Sequence, residues 1–119
     1  MSIAAKVLIA LIALEHIYIL CVEMFLWTSP RTLRTFAMTA QAAQDSKALA
    51  ANQGLYNGFL SAGLIWSLLA PTELGFPLAL FFLGCVLVAG VFGGFTATRR
   101  IWVVQALPAA CALAAVLFT

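Results

Sequence analysis

The stretch IAAKVLIALIALEHIYILCVEMFLW, residues 3–27, decides how the rest of the chain is read. A helix that spans the hydrocarbon core of a bilayer needs about 20 predominantly apolar residues, and this run supplies them without a Gly or Pro. It is too long for the apolar region of a secretory signal, which covers about 7–15 residues and ends at a small-residue cleavage site. No such site precedes the bulky Met24-Phe25-Leu26-Trp27, so the segment is expected to be a retained first span.

Three more apolar segments follow, at about 48–71, 76–98 and 101–119. Across the 119 residues 65% are hydrophobic and 8% charged, with a mean hydropathy of +1.10. An ordinary soluble domain is about 45–50% apolar and about 25% charged. Four spans with short links consume nearly the whole chain, which excludes a soluble catalytic domain. The 6 Lys+Arg and 4 Asp+Glu are too few to neutralise a nucleic-acid backbone, so no nucleic-acid partner is expected. The expected fold is all-α: a single domain over 1–119, an up-and-down bundle of four transmembrane helices.

The connections set the topology. Residues 28–47 are the only polar stretch of any length; Pro30 is expected to stop the first helix and residues 31–43 to form a short interfacial helix. Residues 71–75 read as a tight turn, and Arg99-Arg100 separate the last two spans. Arg31, Arg34, Lys47, Arg99 and Arg100 fall on one side against Lys6 on the other. Cytoplasmic loops carry the Lys/Arg excess, so 28–47 is expected in the cytoplasm and both termini outside. Cys21, Cys85 and Cys111 sit singly in apolar runs without metal or disulfide spacing and are expected to be small buried hydrophobes; no metal and no cofactor is expected.

Ionisable side chains inside a span need a partner, a wet cavity or a neutral form, because a charge at mid-bilayer costs about 2.5–3.5 kcal/mol on insertion scales. The first span holds three: Glu15, His16 and Glu23. His16 and Glu23 are nearly two turns apart, sharing a face about 10 Å from each other along the axis, while Glu15 is rotated by about 100 degrees. The second span opens with the polar cluster Asn52-Gln53-Gly54-Leu55-Tyr56-Asn57-Gly58, in which Gly54 and Gly58 form a small-xxx-small face. Antiparallel packing brings Glu23, Asn52, Gln53, Tyr56 and Asn57 to a similar depth, with Gln105 of the fourth span at that level. This cluster reads either as an interhelical hydrogen-bond network or as a ligand site open to the cytoplasm. Glu15 and His16 read as a proton relay or as a satisfied buried pair. Arg99 and Arg100 are anchors or the cytoplasmic mouth of a site. Trp27 and Trp102 fit an interfacial aromatic belt, and Pro108 is expected to kink the fourth helix.

The strings Glu15-His16-Ile17-Tyr18, Glu23-Met24-Phe25-Leu26-Trp27 and Asn52-Gln53-Gly54-Leu55-Tyr56-Asn57-Gly58-Phe59-Leu60, with Arg99-Arg100, Gln105 and Pro108, resemble a family of small bacterial four-span membrane proteins grouped under a domain of unknown function. The likeness covers nearly the whole chain and implies four helices in the inner membrane without an assigned activity. A remote likeness to DoxX-like four-helix membrane proteins, some of them in quinone-linked redox systems, is one of fold only.

The leading functional expectation is a homo-oligomeric membrane protein that binds or transports a small polar molecule through Glu23, Asn52, Gln53, Tyr56, Asn57 and Gln105, with proton coupling through Glu15 and His16. Two other classes stand beside it: a quinone- or lipid-binding accessory subunit of a redox system, and a scaffold with no ligand. An enzyme is not favoured, since Ser61 and Ser67 have no His in their own helix.

Overall fold

An apolar chain that cannot hand its backbone polar groups to water must pair them internally, and a helix does so within one segment. The structure, a computed structural model describing residues 1–118, is helical in every regular element among those residues. Helix α1 covers Ile3–Phe25, α2 Pro30–Thr35, α3 Ala40–Asp45, α4 Lys47–Leu69 and α5 Thr72–Thr96. A π-helical turn, Trp102–Ala106, leads into α6, Leu107–Phe118. Thr119 of the expected last span lies outside the described residues.

Helices α1 and α5 are long and apolar enough to cross a membrane. Of their most apolar stretches only 22% and 28% of residues are buried. The core helix of a water-soluble protein would hide most of such a surface; here Leu11, Leu14, Phe81, Val88, Phe92 and Phe95 all face outward. Helix α4 is as long as α1 but is diluted by Asn52, Gln53 and Asn57, and the apolar segment Trp102–Phe118 is shorter.

The chain divides into two compact units. The first comprises Met1–Leu14 and everything from Leu60 onward. Its core is built by Ala5, Ile9, Ile12 and Ala13 of α1, Leu64 of α4, Ala79, Leu83 and Val86 of α5, and Ala109, Ala112 and Val116 of α6. Small residues set the helix spacing: a Cβ on Gly90 would stand 2.7 Å from the Ala106 nitrogen, and one on Gly94 would overlap the Trp102 indole. Trp102 lies in that gap, its Nε1 donating to Val91 O at 3.0 Å and its ring edge-on to Phe95. Ser61 Oγ donates to Ala13 O at 2.8 Å, tying α4 to α1 within this unit.

The second unit is Glu15–Phe59: the end of α1, the two short helices and the start of α4. Ser29 caps α2, accepting from Thr32 N, and Thr32 Oγ1 donates to Leu26 O at 2.7 Å, which ties α2 to the end of α1. Met38 N–H to Leu33 O and Ala37 N–H to Arg34 O close α2 in a Schellman turn. That turn requires a left-handed residue, and Ala37 supplies it with φ 51°, where glycine is usual.

Several local expectations change. Pro30 does not stop α1, which ends at Phe25; it opens α2, where its missing N–H has no helical partner to lose. Residues 31–43 form parts of two short helices, because the left-handed Ala37 ends the first and Thr39 caps the second. Residues 71–75 are not a free turn: Pro71 caps α5 and the helix starts at Thr72, with Glu73 in the favourable first turn. The bend expected at Pro108 takes the form of the π-helical turn before it, in which Leu107 N–H reaches Trp102 O five residues back. None of the three free cysteines is fully buried, and Cys111 is exposed, because it faces away from the Ala109-Ala112-Val116 stripe of α6.

Candidate functional site

The acid near the end of α1 and the polar opening of α4 meet within the second unit. Gly54 and Gly58 make this possible. A Cβ on Gly54 would stand 2.6 Å from Met24 Cγ and 3.2 Å from Leu20 O, and one on Gly58 2.6 Å from Leu20 Cδ1. At that spacing Asn57 Nδ2 donates to Glu23 Oε1 at 2.7 Å, and its other hydrogen goes to Gln53 O at 3.0 Å. Both amide hydrogens of Asn57 are thereby committed, and the Glu23 carboxylate is held in one orientation.

Beside this pair lies a cleft of about 180 Å³ lined by Glu23, Trp27, Ser46, Leu49, Ala50 and Gln53. Trp27 follows Glu23 by four residues, and its Nε1 donates to Ser46 Oγ at 3.0 Å. Ser46 passes its own hydrogen to Ala42 O at 2.8 Å. Phe36 packs against the indole with ring centroids 5.3 Å apart, so Trp27 is fixed by a bond on one edge and a ring beside it.

A model of the family described as "Protein of unknown function (DUF1304)" matches residues 10–117, nearly the entire chain. The chain belongs to the DUF1304 family. It is also 33% identical over 107 residues to the Uncharacterized protein YpaA of Lactococcus lactis subsp. lactis (strain IL1403), covering 88% of this chain and 89% of that protein. No solved structure matches. The DUF1304 match takes in all the polar residues singled out from the sequence, from Glu15 to Gln105.

Of those residues the structure joins Glu23 with Asn57 and puts Gln53 at the same cleft. Asn52 turns to its own helix, donating to Ala48 O at 3.0 Å. Tyr56 is exposed, edge-on to Phe59 at 5.9 Å. Gln105 belongs to the other unit, half-buried in its π-helical turn, and Arg99 and Arg100 are exposed in that unit too. His16 is buried at 1% exposure, with its Nδ1 3.9 Å from Glu15 Oε1, beyond hydrogen-bond reach. Glu15 Oε1 is buried and accepts no hydrogen bond among the described residues. Leaving such an acceptor unmet costs about 1–3 kcal/mol.

Trp27, Ser46, Leu49 and Ala50 are cleft residues that the sequence did not single out as such. Trp27 lies in the turn after α1 ends at Phe25, so helical spacing from Glu23 does not by itself place its ring on the cleft. Ser46 lies 19 residues beyond Trp27 across two short helices, and no periodicity relates the two.

Proposed function

We propose that this is a multi-pass protein of the bacterial cytoplasmic membrane, with four spans near 3–27, 48–71, 76–98 and 101–119, that binds or transports a small molecule at the Glu23 cleft. The loop 28–47 and Arg99-Arg100 face the cytoplasm in this reading, and Glu15 with His16 is the proton-carrying pair. The observation that carries it is Glu23 itself: an acid on an apolar, outward-facing helix, oriented by Asn57 and lining a cleft. An acid in such a helix is expensive, and a merely structural bond is worth only about 0.6 kcal/mol, so structure alone is weak repayment. Glu15 and Glu23 are about 12 Å apart along the axis at the helical rise, so a proton passing between them requires a ligand or water in between. A second copy of the chain completes the path, since one copy of this size does not enclose one.

The test is a thermal-shift panel of small ligands and quinones on the full chain in lipid nanodiscs, run on wild type and Glu23→Gln. Gln keeps an acceptor for Asn57 but no charge, so it should fold and lose the ligand-induced shift. Loss of folding, with no ligand shifting the wild type, would favour the scaffold.

One observation favours a second reading. Leu80, Phe81, Gly84, Cys85, Val88, Ala89 and Phe92 line an open apolar groove of about 670 Å³ along α5, of a size to hold a quinone ring or lipid tail. Phe81 and Phe92 supply its aromatic lining, and Trp66 is not among the lining residues. A short-chain quinone shift abolished by Gly84→Leu and untouched by Glu23→Gln would place the ligand there.

A further inference from the structure

We infer that the ligand of the Glu23 cleft is a small organic cation, a protonated amine or quaternary ammonium head group; this rests on the cleft being a ligand site. The chemistry of the lining is one-sided. Glu23 is its one ionisable group, and no basic residue lines it. Among the described residues Glu23 is bonded to the neutral amide of Asn57, and its cleft holds no Lys, Arg or His. One hydrogen bond from Asn57 orients the carboxylate without neutralising it, and an anion at an apolar surface draws a cation from its surroundings.

The donors that an anion would need are already spent. The indole N–H of Trp27 goes to Ser46, the hydroxyl hydrogen of Ser46 to Ala42 O, and both amide hydrogens of Asn57 to Glu23 and Gln53 O. The Gln53 side-chain amide is the one polar group of the lining left to turn either way. With its N–H committed, Trp27 offers its π system, and an indole is the best of the aromatic partners for a cation. Ser46 and Phe36 brace the ring on the cleft that Glu23 also lines, without further ordering cost on binding.

Two alternatives are poorer fits. A bare metal ion wants several oxygen or nitrogen ligands, and Trp27, Leu49 and Ala50 supply none; no cluster of metal-ligating side chains occurs among the described residues. A drug-sized ligand needs about 300–1,000 Å³, whereas this cleft offers about 180 Å³. It holds a head group, with the remainder of the molecule outside the mouth past Leu49, which is itself exposed.

The test titrates the full chain in nanodiscs, by calorimetry at neutral pH, with three probes of similar shape: benzyltrimethylammonium, its neutral carbon isostere neopentylbenzene, and benzenesulfonate. The expected result is saturable binding of the ammonium, weakened about tenfold or more by Glu23→Gln and by Trp27→Leu. Asp45→Asn removes a negative charge from the same unit, where Asp45 is exposed and bonded to Gln41, and should leave binding unchanged. Benzylamine in place of the quaternary probe separates the two head groups: equal binding assigns the charge alone, and stronger quaternary binding assigns the indole. Should the isostere bind as well as the ammonium, and Leu49→Trp at the mouth abolish both, the cleft is a site but the cation assignment is wrong. Ammonium binding indifferent to Glu23→Gln overturns the assignment as well. If no probe of any charge binds, both the assignment and the cleft as a ligand site fall.

Discussion

Trp27 and Trp102 make nearly the same bond in two different neighbourhoods. Each donates its indole N–H over 3.0 Å, Trp27 to Ser46 Oγ and Trp102 to Val91 O, and each packs against a phenylalanine ring, tilted at Trp27 and edge-on at Trp102. Around Trp102 the unit is apolar: Gly94 of α5 admits the ring, and an alanine-rich α6 completes the core. Around Trp27 the same kind of close glycine contact admits a carboxylate and an amide, and the ring borders a cleft. Close packing through small residues is thus common to both units, and the cleft lined by an acid belongs to one. A shared hydrogen bond says little about role; the neighbours of the ring decide it.

The comparison breaks most severely at Gly94. Gly94→Leu forces out the Trp102 ring and should cost about 3 kcal/mol, near the upper end for overpacking, in reversible unfolding in micelles. Gly84 in the same helix has no atom within 4 Å of a would-be Cβ, and Gly84→Ala should change stability by less than about 0.5 kcal/mol. Gly54→Ala is the counterpart in the second unit. Its Cβ meets the Leu20 carbonyl, which cannot swing aside, and a loss of about 2 kcal/mol is expected together with loss of ligand shifts, because Glu23 and Met24 are displaced.

The second unit also holds the one strained backbone position among the described residues. Ala37→Gly relieves the left-handed Ala37 and should stabilise by about 1 kcal/mol by the same unfolding assay, with no effect on binding. Asn57→Leu is milder than the glycine and Ala37 changes that alter packing or strain. It removes a membrane-type interhelical hydrogen bond, worth about 0.6 kcal/mol, yet should shift ligand affinity by more than its stability cost, because the carboxylate loses its orientation. An affinity change no larger than the stability change would make the pair a packing device like its apolar counterpart.

The helical character of the chain was legible because an apolar run of about 20 residues is the length of a spanning helix, and a helix satisfies its own backbone. Glu23 and Asn57 were legible not as a pair but as members of one polar layer, with Asn52, Gln53, Tyr56 and Gln105: polar side chains in such helices are scarce, and small-xxx-small spacing on α4 marks the face that approaches a neighbour. The rest of the cleft was not. Ser46 reaches Trp27 only because α2 and α3 fold back through a left-handed alanine, a position no propensity assigns to that residue. Likewise Pro71 reads locally as a turn and acts as a helix cap, since the residues after it continue the apolar helix. Asn52 shares the composition of the polar cluster but not its contacts, because its amide is satisfied within its own helix.

The cleft beside Trp27 is expected to take a ligand that the neighbourhood of Trp102 does not. Nitrogen-15 NMR of the indole and side-chain amide groups, on the chain in nanodiscs titrated with benzyltrimethylammonium, reads both places in one spectrum. The predicted result is a saturable shift of the Trp27 indole and the Asn57 amide, with the Trp102 indole unmoved. A titration that leaves Trp27 and Asn57 in place, or moves all the indoles alike, would contradict it.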